Sequence, residues 1–248
     1  DRSGLTHMMA NNETGEIFDI HSIRRNAHNA LFACDATAAV GQIPVDFKSL
    51  GVDYLAFGAH KFGGISGIGC LIVKKDTPLI PVIRGGGQEW GKRAGTESVA
   101  LACAMAAALH DRMGNMISDM KRIARCRDML ITYLVRFVPD TYVNGPYTPG
   151  DVLLRLPGNA NLSFLGVESQ ALVMALSAEG VYASSGSACT SGEADGSYVL
   201  RAMGYPANRA VSAVRFTLPY TVTVDDVLGA VPLIVSAVEN LRRLTPTP

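Results

Sequence analysis

Two short apolar runs, LFAC (31–34) and VDYLAFG (52–58), each stop abruptly on residues that carry chemistry. The first ends on Asp35; the second runs into Ala59-His60-Lys61 and a turn rich in glycine. Short apolar runs bounded by turn residues are the mark of buried strands. GIGCLIVKK (67–75) reads as a further strand, and a helical pattern from Asp19 to Ala30, with Asp19 as N-cap, precedes LFAC. Strands alternating with a helix imply an α/β layer with a mostly parallel sheet.

The sequence changes character in its second half. A helical stretch covers roughly Glu97 to Val138, and Gly114 is its weak point, where a bend or break is expected. A domain boundary is placed near residue 116, giving domains 1–116 and 117–248. Beyond it, short strands (NLSF, VRFTL) alternate with helices, as in a smaller α+β domain. Glu168 to Ala178 has helical spacing closed by Gly180. Thr223 and Asp226 form a capping box ahead of a last helix, which ends on Arg242 and Arg243.

Composition excludes several classes. With 22 basic and 22 acidic residues the chain is neutral, which argues against a nucleic acid or a membrane surface as its main partner. No apolar run approaches the ~20 residues of a membrane-spanning helix. Five cysteines, Cys34, Cys70, Cys103, Cys126 and Cys189, are odd in number and widely spaced, with no metal-ligand pattern. A reducing, cytoplasmic setting without a metal site is expected.

Lys61 is either a solvated loop charge or an amine partly desolvated by the apolar strand before it, and so a nucleophile. Asp35 either caps a turn or pairs with a cation, or else it holds the protonated nitrogen of a pyridine cofactor. Cys189, in YASSGSACTSGEADGS (182–197), is flanked by small and polar residues, unlike a core cysteine. It is either incidental or a reactive thiol. Arg215 stands alone in the apolar strand AVRFTL and needs an internal acid or a bound carboxylate. The loop GGGQEWGKRAGTES (85–98) is able to cradle phosphate through its backbone, with Thr96 near a helix start. His7, His21, His28 and His110 join no constellation.

Together MANNETG, DAT, HK, GGGQEWGKRAGT, SSGSACTS, SYVLRAMG and VRFTL resemble, in order and approximate spacing, the cysteine desulfurases of the NifS/IscS type. These are class V aminotransferase-family enzymes of PLP fold-type I. The resemblance covers nearly the whole chain. It implies residues 1–116 as the C-terminal part of the PLP-binding large domain and 117–248 as the small domain carrying the cysteine. Lys61 would link covalently to pyridoxal 5'-phosphate (PLP), and Asp35 would pair with the pyridine nitrogen. Asn12 would contact the ring hydroxyl region. His60 and Thr96 would help hold the phosphate, Thr96 in the other subunit of a homodimer. Arg215 would bind the carboxylate of L-cysteine, and Cys189 would accept its sulfur as a persulfide, releasing L-alanine. A sulfur acceptor or scaffold protein would take the persulfide for iron–sulfur clusters, thionucleosides or DNA phosphorothioate. The Ser- and Gly-rich surroundings of Cys189 suit a thiol that must travel.

Two departures stand out. Ala38 replaces the Gln of the family's DATQ, and Gly58-Ala59 replaces the Ser-Gly before His-Lys. Each lost hydrogen bond to a charged group is worth about 1.5–3 kcal/mol. The family also carries a long N-terminal portion ahead of GLTHMMAN, holding a phosphate loop and a histidine that stacks on the cofactor. The first strand is therefore expected to leave an unpaired edge. A separate N-terminal polypeptide that completes the large domain, or cleavage of a longer chain, is expected. The alternatives to the desulfurase are a selenocysteine lyase and a non-catalytic desulfurase-like scaffold for sulfur-transfer partners.

Overall fold

The computed structural model describes residues 3–186 and 196–244. The chain forms two compact units, one of residues 1–9 and 18–116, the other of residues 10–17 and 117–248.

The first unit is built on a four-stranded sheet. Its strands are β1 (Gly4–Met8), β2 (Leu31–Asp35), β3 (Tyr54–Gly58) and β4 (Gly69–Val73), in that order across the sheet. β1, β2 and β3 run parallel, with Met8 opposite Asp35 and Asp35 opposite Ala56. β4 folds back antiparallel, Phe57 facing Cys70. The sheet is mostly parallel, as expected, and β1 forms one of its edges. Alternation along β2 buries Phe32 and Cys34. Asp53 enters β3 with its carboxyl accepting from the Phe32 amide at 3.0 Å, with Arg24 and Lys74 each 3.8 Å away.

Helix α1 (Ile20–Asn26) starts where expected, since Asp19 Oδ1 accepts from the Ser22 amide at 3.0 Å. It ends four residues early because His28 adopts φ 47°, outside helical space. A short helix, α2 (Phe47–Leu50), is capped by Asp46 and closed by Gly51 at φ 68°. The long helical stretch is in two pieces, α3 (Val99–Gly114) and α4 (Met116–Phe137), interrupted at Asn115 just after the glycine.

The second unit holds an antiparallel sheet of β5 (Thr141–Val143), β6 (Asn159–Phe164), β7 (Ser184–Ser185) and β8 (Ala213–Thr217), ordered β5-β6-β8-β7. The helices are α4, α5 (Ser169–Ala178), α6 (Tyr198–Ala202), α7 (Ala207–Val211) and α8 (Val224–Leu244). Leu162, Phe164, Leu172, Leu176, Val214, Ile234 and Val238 are fully buried in one core shared by α5, α8, β6 and β8. The capping box of α8 is formed: Thr223 Oγ1 accepts from the Asp226 amide at 3.2 Å, and Asp226 Oδ2 accepts from the Thr223 amide at 2.8 Å. Pro232 sits inside α8 on its exposed side, so the carbonyl it frees, that of Leu228, lies on a solvated face. No helix among the described residues is long and apolar enough to cross a membrane.

Candidate functional site

In the first unit the parallel strands bring their carboxyl ends to one side of the sheet, the side on which open α/β folds bind ligands. Asp35 is the last residue of β2, and Lys61 ends a single 3₁₀ turn (Ala59–Lys61) directly after β3. The turn is fixed from within. Ala59 and Phe62 are buried at 0% and 2% exposure, on either side of exposed His60 and Lys61. Gln42 Nε2 donates to the Lys61 carbonyl at 3.0 Å. Phe62 packs so closely on Gly41 that a Cβ there would lie 2.3 Å from Phe62 Cβ. Burial, assisted by Asp35, pushes the Cys34 thiol up to about 11, which makes it inert.

Asp35 Oδ1 accepts from the Thr37 amide at 2.8 Å. Among the described residues no cation lies within ion-pair distance of its carboxyl, and the Lys61 amine has no acidic partner. The cation pairing considered for Asp35 is therefore absent from the described residues. The partly desolvated amine considered for Lys61 is not found within this chain, because Lys61 is exposed. The Asp35 carboxyl therefore caps the turn after β2, with Oδ2 left free of any partner among the described residues, and it stands with the exposed Lys61 amine at the same end of neighbouring strands, where the two are able to meet the ring nitrogen and the aldehyde of PLP. A Cβ at Gly58 would meet the His60 ring at 2.9 Å, so the glycine that replaces the family's serine leaves room for the ring over the backbone. Thr96 lies on the exposed loop ahead of α3, and no hydrogen bond or ion pair ties it to Lys61 or Asp35.

Asn12 and Arg215 belong to the second unit and meet there: Arg215 Nη1 donates to the Asn12 carbonyl at 2.9 Å. The turn that carries Asn12 is built by Asn11, whose Oδ1 accepts from the amides of Glu13 at 2.9 Å and Thr14 at 3.0 Å. Glu13 is completely buried. Its carbonyl accepts from Asn159 Nδ2 at 3.0 Å and Asn161 Nδ2 at 3.1 Å, both on β6. Its carboxyl Oε2 accepts from Ser197 Oγ at 2.5 Å. Burial lowers the pKa of Arg215, and the nearby Glu13 opposes that shift. Glu13 Oε1, Asn159 Oδ1 and Arg215 Nε are buried without a partner among the described residues.

Asn12 and Arg215 were singled out from the sequence, but Glu13, Asn159 and Asn161 around them were not. One signal was Glu13 itself, an acid inside the turn-prone NNETGE. Asn159 and Asn161 stand two apart in a strand buried along its whole length. Asn at both positions is an anomaly that alternation arguments pass over. Cys189 lies outside the described residues. A cavity of about 570 Å³ in the second unit is lined mostly by apolar side chains, among them Val181, Tyr182, Phe216, Leu218 and Ile234. None of the expected site residues lines it.

The family model described as aminotransferase class-V matches residues 3–228. The cysteine desulfurase IscS of Dictyoglomus turgidum is 39% identical over 244 residues, covering 98% of this chain and 61% of that protein. A cysteine desulfurase of Klebsiella pneumoniae is 40% identical over 245 residues, covering 96% of this chain and 59% of that one. Among solved structures a NifS-like protein superposes with a TM-score of 0.86 at 29% identity, over 97% of this chain and 62% of its own. The chain thus spans about 60% of the length of the relatives it matches.

Proposed function

The chain belongs to the class-V aminotransferase family, and from that premise we propose that it serves as a PLP-dependent cysteine desulfurase. Residues 1–116 would be the C-terminal part of the large domain and 117–248 the small domain. The observation that carries the reading is the placement of Asp35, which has no cation partner among the described residues, and of the exposed Lys61 at the carboxyl ends of adjacent parallel strands. When bound, PLP supplies an electron sink that weakens the Cβ–S bond of the substrate.

The chain's own residues divide the remaining work. The Asp35 carboxyl holds the proton on the ring nitrogen. The Lys61 amine would anchor the aldehyde and, as a free amine, would take the Cα proton of L-cysteine at Nζ. His60 and Thr96 hold the phosphate, Thr96 in the other subunit of a homodimer, and Asn12 contacts the ring hydroxyl. Arg215 binds the substrate carboxylate through its guanidinium fork. The thiolate of Cys189 attacks the substrate sulfur and keeps it as a persulfide. The substrate carbon that gives up its sulfur would take a proton in exchange, so that L-alanine would be the product. A sulfur-acceptor protein then takes the outer sulfur. A separate polypeptide supplying the rest of the large domain would enclose the exposed Lys61 and so desolvate it.

Borohydride reduction of the PLP-loaded protein followed by peptide mass mapping tests the reading. A pyridoxyl adduct on Lys61, together with a persulfide on Cys189 after L-cysteine is added, is the expected result. A Cys189→Ser variant should keep the adduct and lose the persulfide. Absence of any adduct would leave a non-catalytic scaffold. Faster alanine release from selenocysteine than from cysteine would make the protein a selenocysteine lyase.

A further inference from the structure

Helix α3 buries a single charge. Arg112, at 4% exposure, is the one residue of α3 that is buried among the described residues. A buried guanidinium is costly unless its N–H groups meet acceptors. One of them does so outside the helix, since Arg112 Nε donates to the Gly41 carbonyl at 3.3 Å.

Gly41 belongs to the turn of residues 36–43, which starts directly after Asp35. The turn is closed from within: the Val40 amide donates to the Ala36 carbonyl at 2.9 Å, and the Ile43 amide to the Ala39 carbonyl at 3.0 Å. Its start is tied to β3, where the Ala36 amide donates to the Ala56 carbonyl at 2.8 Å. Its two ends serve the two residues assigned to PLP. The Thr37 amide donates to Asp35 Oδ1 at 2.8 Å and so orients the carboxyl. Gln42 Nε2 donates to the Lys61 carbonyl at 3.0 Å and so holds the backbone of the lysine. Gly41, next to Gln42, has φ 74°, and its carbonyl finds a donor on another element, Arg112.

We propose that residues 36–43 act as a spacer that sets Asp35 relative to Lys61, and that Arg112 is the positioning residue that fixes the Lys61 end of this spacer from α3. The inference rests on the desulfurase reading for its consequence, though not for its geometry. A carboxyl that must meet the ring nitrogen and an amine that must meet the aldehyde of one cofactor tolerate little drift. A misplacement of about 1 Å can cost on the order of a hundredfold in rate. Arg112 acts through the Gly41 carbonyl rather than on the cofactor, and Gln42, one residue on, passes the constraint to Lys61. A charged donor suits the place, because its bond to a carbonyl is stronger than that of a neutral one.

Variants at Arg112 and Gln42 test the chain of contacts. Arg112→Met keeps the stem and removes the donor, whereas Arg112→Lys keeps a charged donor. In the PLP-loaded protein, Arg112→Met should raise hydrogen exchange of the amides of 39–43 and of Phe62 by at least about tenfold. It should lower kcat for alanine release from L-cysteine by at least about tenfold, with KM within about twofold. Arg112→Lys should recover most of both losses. Gln42→Met, which removes the next link, should lower kcat as much, and the double variant should lose no more than about twofold beyond either single one, since both cut one path. Ala107→Gly, on the exposed side of α3, weakens the helix but leaves the Arg112 side chain in place, and kcat should stay within about twofold of wild type. Should Arg112→Met not fold, Arg112→Gln takes its place. Unchanged exchange of 39–43 in the Arg112 variant would overturn the proposal, as would losses that multiply in the double variant or an equal loss of kcat in Ala107→Gly. If the wild-type protein releases no alanine, the desulfurase reading fails, while the exchange comparison of Arg112→Met with Arg112→Lys still decides whether Arg112 holds the turn.

Discussion

Lys61 is held in place by its neighbours rather than by contacts of its own. Ala59 and Phe62 are drawn into the core on either side, and Gln42 holds the Lys61 carbonyl. The amine is left outside on a backbone that cannot drift. Gly41 is the residue on which this depends. Its φ of 74° disfavours any side chain, and its Cα stands against Phe62. Replacing Gly41 with Ala would add left-handed backbone strain and push Phe62 outward, at a combined cost of about 2–4 kcal/mol. Urea denaturation of Gly41→Ala should show that loss, with borohydride trapping at Lys61 reduced even in the folded fraction. A stability within about 0.5 kcal/mol of wild type would mean that Phe62 moves without consequence and that the turn is not fixed in this way.

Helix α8 shows how a local rule is carried into packing. Its first turn is closed by the reciprocal bonds of Thr223 and Asp226, and hydrogen bonds from Thr223 lower the pKa of Asp226. A group lowered in this way stabilises the fold above its unfolded value of 3.8, and the contribution fades as pH falls through the folded value. Thr223→Ala should cost about 1 kcal/mol at neutral pH, read as a lower urea midpoint, and the gap to wild type should narrow below pH 3.8. A gap that stays constant down to pH 2 would show that Asp226 takes no part. The capping box was legible because it is written in four consecutive residues, and so were β1 to β4 and the interruption after Gly114. The end of α1 was not, since the positive φ of His28 answers to the tertiary fold rather than to its own preference. Nor was the cluster around Glu13, which joins residues far apart in sequence through Asn159, Asn161 and Ser197. Asp35 and Lys61 were legible as strand ends, whereas the exposure of Lys61 was not, because an apolar strand before a residue does not by itself provide a wall around it.

The first unit carries more apolar surface than an independent domain keeps in water. β1 is an edge strand with alternate residues exposed, and Met8 at its end is 38% exposed. Helix α3 buries only Arg112, although VALACAM opens it, and Val99 and Met113 are 69% and 64% exposed. Val82 and Trp90, on the stretch before α3, are 94% and 90% exposed. A helix apolar on all sides belongs in an interior, and a free strand edge invites another strand. The relatives are longer by about two fifths of their length, enough polypeptide to cover such a surface. The 248-residue chain on its own should therefore bind a hydrophobic dye and self-associate on gel filtration. Co-expression with a polypeptide supplying the remainder of the relatives' length should give a soluble complex of equal stoichiometry. In that complex the amides of Gly4–Met8 and of α3 should gain at least about tenfold protection from hydrogen exchange, and Lys61 should become reducible with PLP. A lone chain that elutes as a 26.3 kDa monomer, binds no dye and gains no protection from the added polypeptide would show that these surfaces are stable as they stand.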